Sequence, residues 1–245
     1  MRMNSPEGKR ILADIRAAPY AHAGERQAVE LVLAGVAKDP GRRILDAGCG
    51  LGGTAHDMQS GGWGTVTGFD IDEVSVAKAQ DLFPHCTFVV ADVGSVTGAL
   101  RGPFDLITCF NSFYAMPQQQ ALTELAALAH PGTELLIFDY TDPNRDYAAS
   151  DFARREDADF WHPPCPDDFA ADAGEFGWQL AEFSDLTERY HTWYVQLCQR
   201  AADRYSDLTG KYGQPAIDFV CEFYCALRDT FADGTLGGGL FRLKR

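Results

Sequence analysis

Apolar and polar positions follow two periods along this chain, and the changes from one to the other mark out its elements. Val29, Leu33 and Val36 share one helical face between 24 and 38, with Glu and Arg opposite, and 8–18 reads as an earlier helix. Short apolar runs then predict strands at 42–47, 65–70, 86–92, 103–111 and 130–140. Between them lie helical stretches: "TAHDMQSG", stopped by Gly61 and Gly62, then 72–83 and a helix around 117–129. Strands alternating with helices at this spacing predict an α/β fold, an open parallel sheet covered on both faces.

The alternation stops after the fifth strand. Residues 141–176 are acidic and hold Pro163, Pro164 and Pro166; 177–187 predicts a sixth strand, and 188–209 and 214–231 two aromatic-rich helices. "TLGGGLFRLKR" predicts a closing strand. We expect one domain over 1–245, with 1–40 as an N-terminal helical cap and 141–176 and 188–234 as elaborations around the active edge of the sheet.

Chemistry first appears in "ILDAGCGLGG", where a buried strand runs into Gly48, Gly50 and Gly53, a G-x-G-x-x-G pattern that lets a backbone approach a nucleotide. Asp70, 22 residues past Gly48 at the end of strand 2, suits ribose hydroxyls. Dinucleotide redox and methyl transfer share these parts. Asp46, two residues before Gly48, favours a cofactor without a pyrophosphate that carries a sulfonium and an ammonium. Asp92, in "VVADV", stands where an adenine amine would be bonded, and "FDLITCFNSFYAMP" ends a strand in polar and aromatic residues.

Together "ILDAGCGLGG", "VTGFDID", "VVADV" and "FDLITCFNSFYAMP" resemble, in order and spacing, the class I S-adenosylmethionine-dependent methyltransferases, and most closely their small-molecule branch. The resemblance covers about 20–140 and the last strand. It implies a Rossmann-like seven-stranded, mostly parallel sheet with the last strand antiparallel, and lid insertions after strand 5 and before strand 7. By the same resemblance Gly48, Cys49 and Gly50 would follow the methionine part and ribose of S-adenosylmethionine. Asp70 would hold the ribose, Ile71 pack on the adenine, Asp92 and Val93 flank its edge, and Phe110 and Asn111 line the methionine side. "YAHAGE" matches a cofactor cap in that branch, which makes Tyr20 and His22 candidate contacts. Many relatives carry a histidine directly before the Met-Pro after strand 4; here that position is Ala115. Tyr114, Asp139 and His162 are then the candidate catalytic residues, acting mainly by positioning.

The remaining composition narrows the partners. A net charge of -14 disfavours nucleic acid and anionic membranes, and no apolar run approaches membrane-spanning length. Neither a secretory leader nor a disulfide-like cysteine spacing is expected among the seven cysteines, which points to a cytoplasmic protein with reduced thiols. Cys221 and Cys225 read as one helix face of the core, and His162 and His191 have no metal-ligand spacing, so no metal is expected. The partner is a small-molecule methyl acceptor, with a homodimer kept open. Eleven acids between 139 and 175 (Asp139, Asp142, Asp146, Asp151, Glu156, Asp157, Asp159, Asp167, Asp168, Asp172 and Glu175), with Phe160 and Trp161, could attract a cationic amine, although a solvated acidic surface explains them slightly better. N-, O- or C-methylation, and a catalytically silent cofactor-binding protein, stay open.

Overall fold

The computed structural model describes Met3, Ser5–Arg155 and Trp161–Arg245. Glu156, Asp157, Asp159 and Phe160, four of the residues assigned above to an acidic lid, lie outside the described residues.

Two N-terminal helices, α1 (Pro6–Arg16) and α2 (Glu25–Val32), precede β1 (Arg43–Ala47), α3 (Gly53–Ser60), β2 (Thr65–Asp70), α4 (Glu73–Leu82) and β3 (Thr87–Val90). Next come α5 (Val96–Ala99), β4 (Phe104–Phe110), α6 (Gln118–Ala127) and β5 (Ala129–Thr141). Helices α7 (Asp151–Arg155) and α8 (Pro166–Gly174) lead to β6 (Gln179–Asp185). Helices α9 (Thr187–Asp203), α10 (Tyr205–Tyr212) and α11 (Gln214–Asp233) lead to β7 (Gly237–Lys244). The expected helix over 188–209 is therefore two, separated at Arg204, whose backbone leaves the helical region at φ -106°.

The seven strands form one sheet in the order β3-β2-β1-β4-β5-β7-β6, with β7 antiparallel to both neighbours and the pairs among β1 to β5 parallel. Side chains alternate between its faces, as a pleated strand requires. Ile44, Leu106, Phe110, Leu136, Phe138 and Tyr140 enter the core under α1, α2 and α9 to α11. Leu45, Ala47, Ile107, Cys109, Leu135 and Ile137 enter the opposite core, under α6 and α8. Each central strand is covered twice, which is why its sequence reads as a nearly continuous apolar run.

Two departures from apolar burial stand out. Asp46 on β1 is 1% exposed and Asp139 on β5 is 0% exposed. Both lie near the carboxyl ends of their strands. Strand order reverses between β1 and β4, and an open α/β sheet leaves a crevice at such a point, where ligands bind.

Candidate functional site

A cavity of about 350 Å³ opens at that crevice. Its size is at the lower end of ordinary small-molecule sites. One end is built from the loop after β1. Gly48 and Cys49 both donate backbone N–H bonds to the Phe69 carbonyl at 2.9 Å, which pins the loop to the end of β2. Gly48 has φ +78°, and a Cβ there would lie 2.5 Å from the Ser112 Cβ, so both conformation and space demand glycine. Gly50 also has a positive φ, +51°, and a Cβ on it would meet only Ala21, at 4.0 Å, across the cavity wall. The Gly50 N–H donates to Asp70 Oδ2 at 2.8 Å, and the Asp72 N–H to Asp70 Oδ1 at 2.9 Å. The Asp70 carboxylate is thus oriented by backbone at the cavity edge, with Lys9 of α1 bridging to Asp72 at 3.0 Å.

Asp92 also lines this end and accepts the Gly94 N–H at 2.7 Å, beside Val93 and the largely exposed Ile71. Asn111 adopts φ +45° and anchors three elements. Its Oδ1 accepts from the Ala23 N–H at 3.0 Å, and its Nδ2 donates to Tyr190 at 3.2 Å and to Asp139 at 3.4 Å. Asp46 lies just below the glycine loop. Thr108 donates to its Oδ1 at 3.1 Å, while its Oδ2 is buried with no partner among the described residues. Burial pushes this carboxyl up to about 7, against the pull of Thr108.

The far end of the cavity is aromatic. Tyr114, Tyr140 and Trp161 pack with ring centroids 4.5–4.9 Å apart, and Phe223 and Tyr224 of α11 complete the wall. Tyr140 and Tyr194 share a hydrogen bond of 2.5 Å behind it. Burial pushes the phenols of Tyr114, Tyr140 and Tyr224 above their ordinary range, so they stay neutral.

Gly48, Gly50, Asp70, Ile71, Asp92, Val93, Phe110, Asn111 and Tyr114 thus line one cavity, and six other expected contacts, Asp46 beneath the loop among them, do not. The Tyr20 hydroxyl donates to Asp57, and His22, 3% exposed, bonds Thr54 and the Ala23 carbonyl at 2.9 Å; these rings brace the glycine loop from below. Desolvation lowers the His22 pKa to about 4. In that stretch it is Ala21 that reaches the cavity. The Cys49 thiol fills the space left by Gly68, and Cys49 does not line the cavity.

Asp139 also lies outside the lining. Its Oδ2 accepts the backbone N–H groups of Ser112, Phe113 and Tyr114 at 3.1, 2.7 and 3.2 Å, and its Oδ1 accepts that of Tyr140 at 2.8 Å. Buried under these donors, it shapes the loop that carries Tyr114. His162 is exposed and does not line the cavity; its backbone joins the site by donating to the Tyr114 carbonyl at 2.7 Å. The acids of 142–175 do not line the cavity among the described residues. Asp142 caps the turn at Tyr147, and Asp168 pairs with Arg145 at 2.8 Å in solvent.

Sequence reasoning missed Met3, Lys9 and Leu12, which α1 brings over the cavity, and Ser112, Met116 and Tyr140. The i, i+3 spacing of Lys9 and Leu12 was a legible signal of one helix face, though not of what it faces.

Residues 44–132 match the model of a methyltransferase domain. An O-methyltransferase from Aspergillus nomiae is 29% identical over 170 residues, 60% of this chain and 69% of that one. The first three curated relatives it matches are spanned over 69%, 53% and 38% of their own lengths. Among solved structures, the cyclopropane synthase MmaA2 from Mycobacterium tuberculosis superposes with a TM-score of 0.83 at 17% identity, over 99% of this chain and 95% of that one. The phosphoethanolamine N-methyltransferase 2 of Haemonchus contortus in complex with S-adenosyl-L-methionine gives 0.86 at 17% identity, over 99% of this chain and 58% of that one. The cavity fits such a cofactor on its own evidence: an open cradle at Gly50, an oriented Asp70 carboxylate and, beneath the loop, a buried Asp46 oxygen lacking a partner among the described residues.

Proposed function

The chain carries a class I S-adenosylmethionine-dependent methyltransferase domain, and on that premise we propose that it methylates a small-molecule amine held at the aromatic end of the cavity. When bound, S-adenosylmethionine supplies an electrophilic methyl group. Asp70 and Asp92 would hold its nucleoside, the Gly48–Gly50 backbone its chain, and Asp46 would offer a negative charge beneath its ammonium.

One observation carries the choice of acceptor: among the described residues, no carboxylate or imidazole lines the aromatic end. An oxygen or carbon acceptor needs a base to take its proton, whereas an amine has only to arrive neutral. The neutral phenols of Tyr114, Tyr140 and Tyr224 can hold an amine by hydrogen bonds, and the rings tolerate the cation that forms on nitrogen. Their remaining work is to orient the acceptor and keep water out.

The test is to supply the protein with S-adenosylmethionine and matched panels of aryl-bearing amines and phenols, and to follow S-adenosylhomocysteine. Turnover confined to amines, rising with pH only as each amine deprotonates, supports the reading. Turnover with phenols and none with amines overturns it in favour of oxygen methylation, the activity in the name of the Aspergillus relative.

A further inference from the structure

Six of the chain's 21 lysines and arginines line one other cleft, on a molecule whose net charge is -14. The cleft has a volume of about 800 Å³ and lies behind α1, opposite the cofactor cavity. Arg10 and Arg16 come from α1, Lys78 from α4, Arg200 from α9, Arg204 from the α9–α10 junction and Lys211 from α10. Two carboxylates answer them. Asp14 takes Lys211 at 2.5 Å, and Glu25 bridges Arg16 at 2.5 Å and Arg200 at 2.6 Å. Arg204 is spent on the Asp14 backbone carbonyl, which cancels no charge. Arg10 and Lys78 have no ion pair among the described residues.

A second, independent observation makes this more than a basic surface. The Arg16 side chain is 1% exposed, and its Nε has no hydrogen-bond partner among the described residues; the Arg200 Nε is likewise buried and unpartnered. Both Nε atoms are closed off from the cleft, so what Arg16 and Arg200 offer a ligand is positive charge, two cations against the single carboxylate of Glu25. Guanidinium and ammonium groups lining one cleft match the oxygens of a phosphate.

We propose that this cleft binds a soluble phosphorylated small molecule, and that binding holds α1 in place. The overall negative charge argues against an anionic membrane as the source of the phosphate. The ligand would tie α1 to α4, α9 and α10 on one side, while Lys9 and Leu12 on the other side of the same helix cover the cofactor cavity. An anion here would therefore steady the lid of a different site.

Inorganic pyrophosphate is the probe, titrated calorimetrically into the full chain at constant ionic strength, with hydrogen exchange followed along α1. Saturable binding is expected, with α1 amides exchanging more slowly. Arg10→Glu and Lys78→Glu, both exposed positions, should each weaken binding roughly tenfold or more, as loss of a charged contact does. Binding that vanishes at matched ionic strength, or that both variants retain at wild-type strength, overturns the proposal. Neither readout needs S-adenosylmethionine, so failure here leaves the methyltransferase reading standing.

Discussion

Replacing Asp139 by Asn separates a positioning carboxylate from a general base. Its two oxygens accept four backbone N–H groups and the Asn111 amide, and every one of these partners is a donor. An asparagine in the same volume keeps one acceptor and turns an NH₂ toward the donors of the other. If the oxygen stays with Ser112, Phe113 and Tyr114, then the Tyr140 N–H and the Asn111 amide lose their partner. Each buried group so stranded costs about 1–3 kcal/mol. Relief from burying a carboxyl that burial already raises to about 7 offsets part of this. The net expectation is a loss of about 2–4 kcal/mol, or roughly 5–15 °C in Tm for a chain of this size. Urea denaturation, with S-adenosylhomocysteine calorimetry alongside, is the assay. The variant should be less stable, and any remaining turnover should keep the wild-type pH profile. Unchanged stability, with turnover severely reduced and the acidic limb gone from the profile of what remains, would show that Asp139 is the base and that its placement here is wrong.

Other perturbations reach other parts of the account. Gly48→Val combines an unfavourable positive φ with a Cβ 2.5 Å from Ser112, and should cost about 2–5 kcal/mol while abolishing cofactor binding by calorimetry. Asp46 and Asp139 have raised pKa values in the folded chain, so the stability they contribute is complete below about 4 and is lost as pH rises through about 7. Asp46→Asn should flatten part of that decline in denaturation curves from pH 4 to 8, and an unaltered slope refutes the assignment. Tyr114→Phe should lower kcat about tenfold with S-adenosylhomocysteine affinity unchanged, because Tyr114 lines the aromatic end of the cavity. Wild-type kinetics would make the ring mere wall.

What the sequence revealed of this site was local. The order of β1 to β5 and the glycine loop were readable because strand period, turn residues and the Gly48-to-Asp70 interval all lie within short windows. Ser112, Phe113 and Tyr114 stand 25 to 27 residues from the carboxylate they share, so Asp139 read as a free acid at a strand tip. His22 misled because "YAHAGE" does reach the cavity, but through Ala21, with the ring turned under the loop. The break at Arg204 carries neither Gly nor Pro to announce it. The density of acids after β5 suggested attraction of a cationic amine, whereas the described ones face solvent or pair locally and the chamber wall comes from Trp161 and the distant α11.

The central claim is transfer of a methyl group from a cofactor bound at the glycine loop to a small amine. The most direct measurement incubates the protein with S-adenosylmethionine carrying a trideuterated methyl and a panel of aryl amines, and follows both products by mass spectrometry. The account predicts S-adenosylhomocysteine and a trideuteromethylated amine in equal amounts, both lost in Asp70→Ala. Saturable S-adenosylmethionine binding with no labelled amine and no S-adenosylhomocysteine formed would contradict it, and would leave a protein that holds the cofactor without using its methyl group.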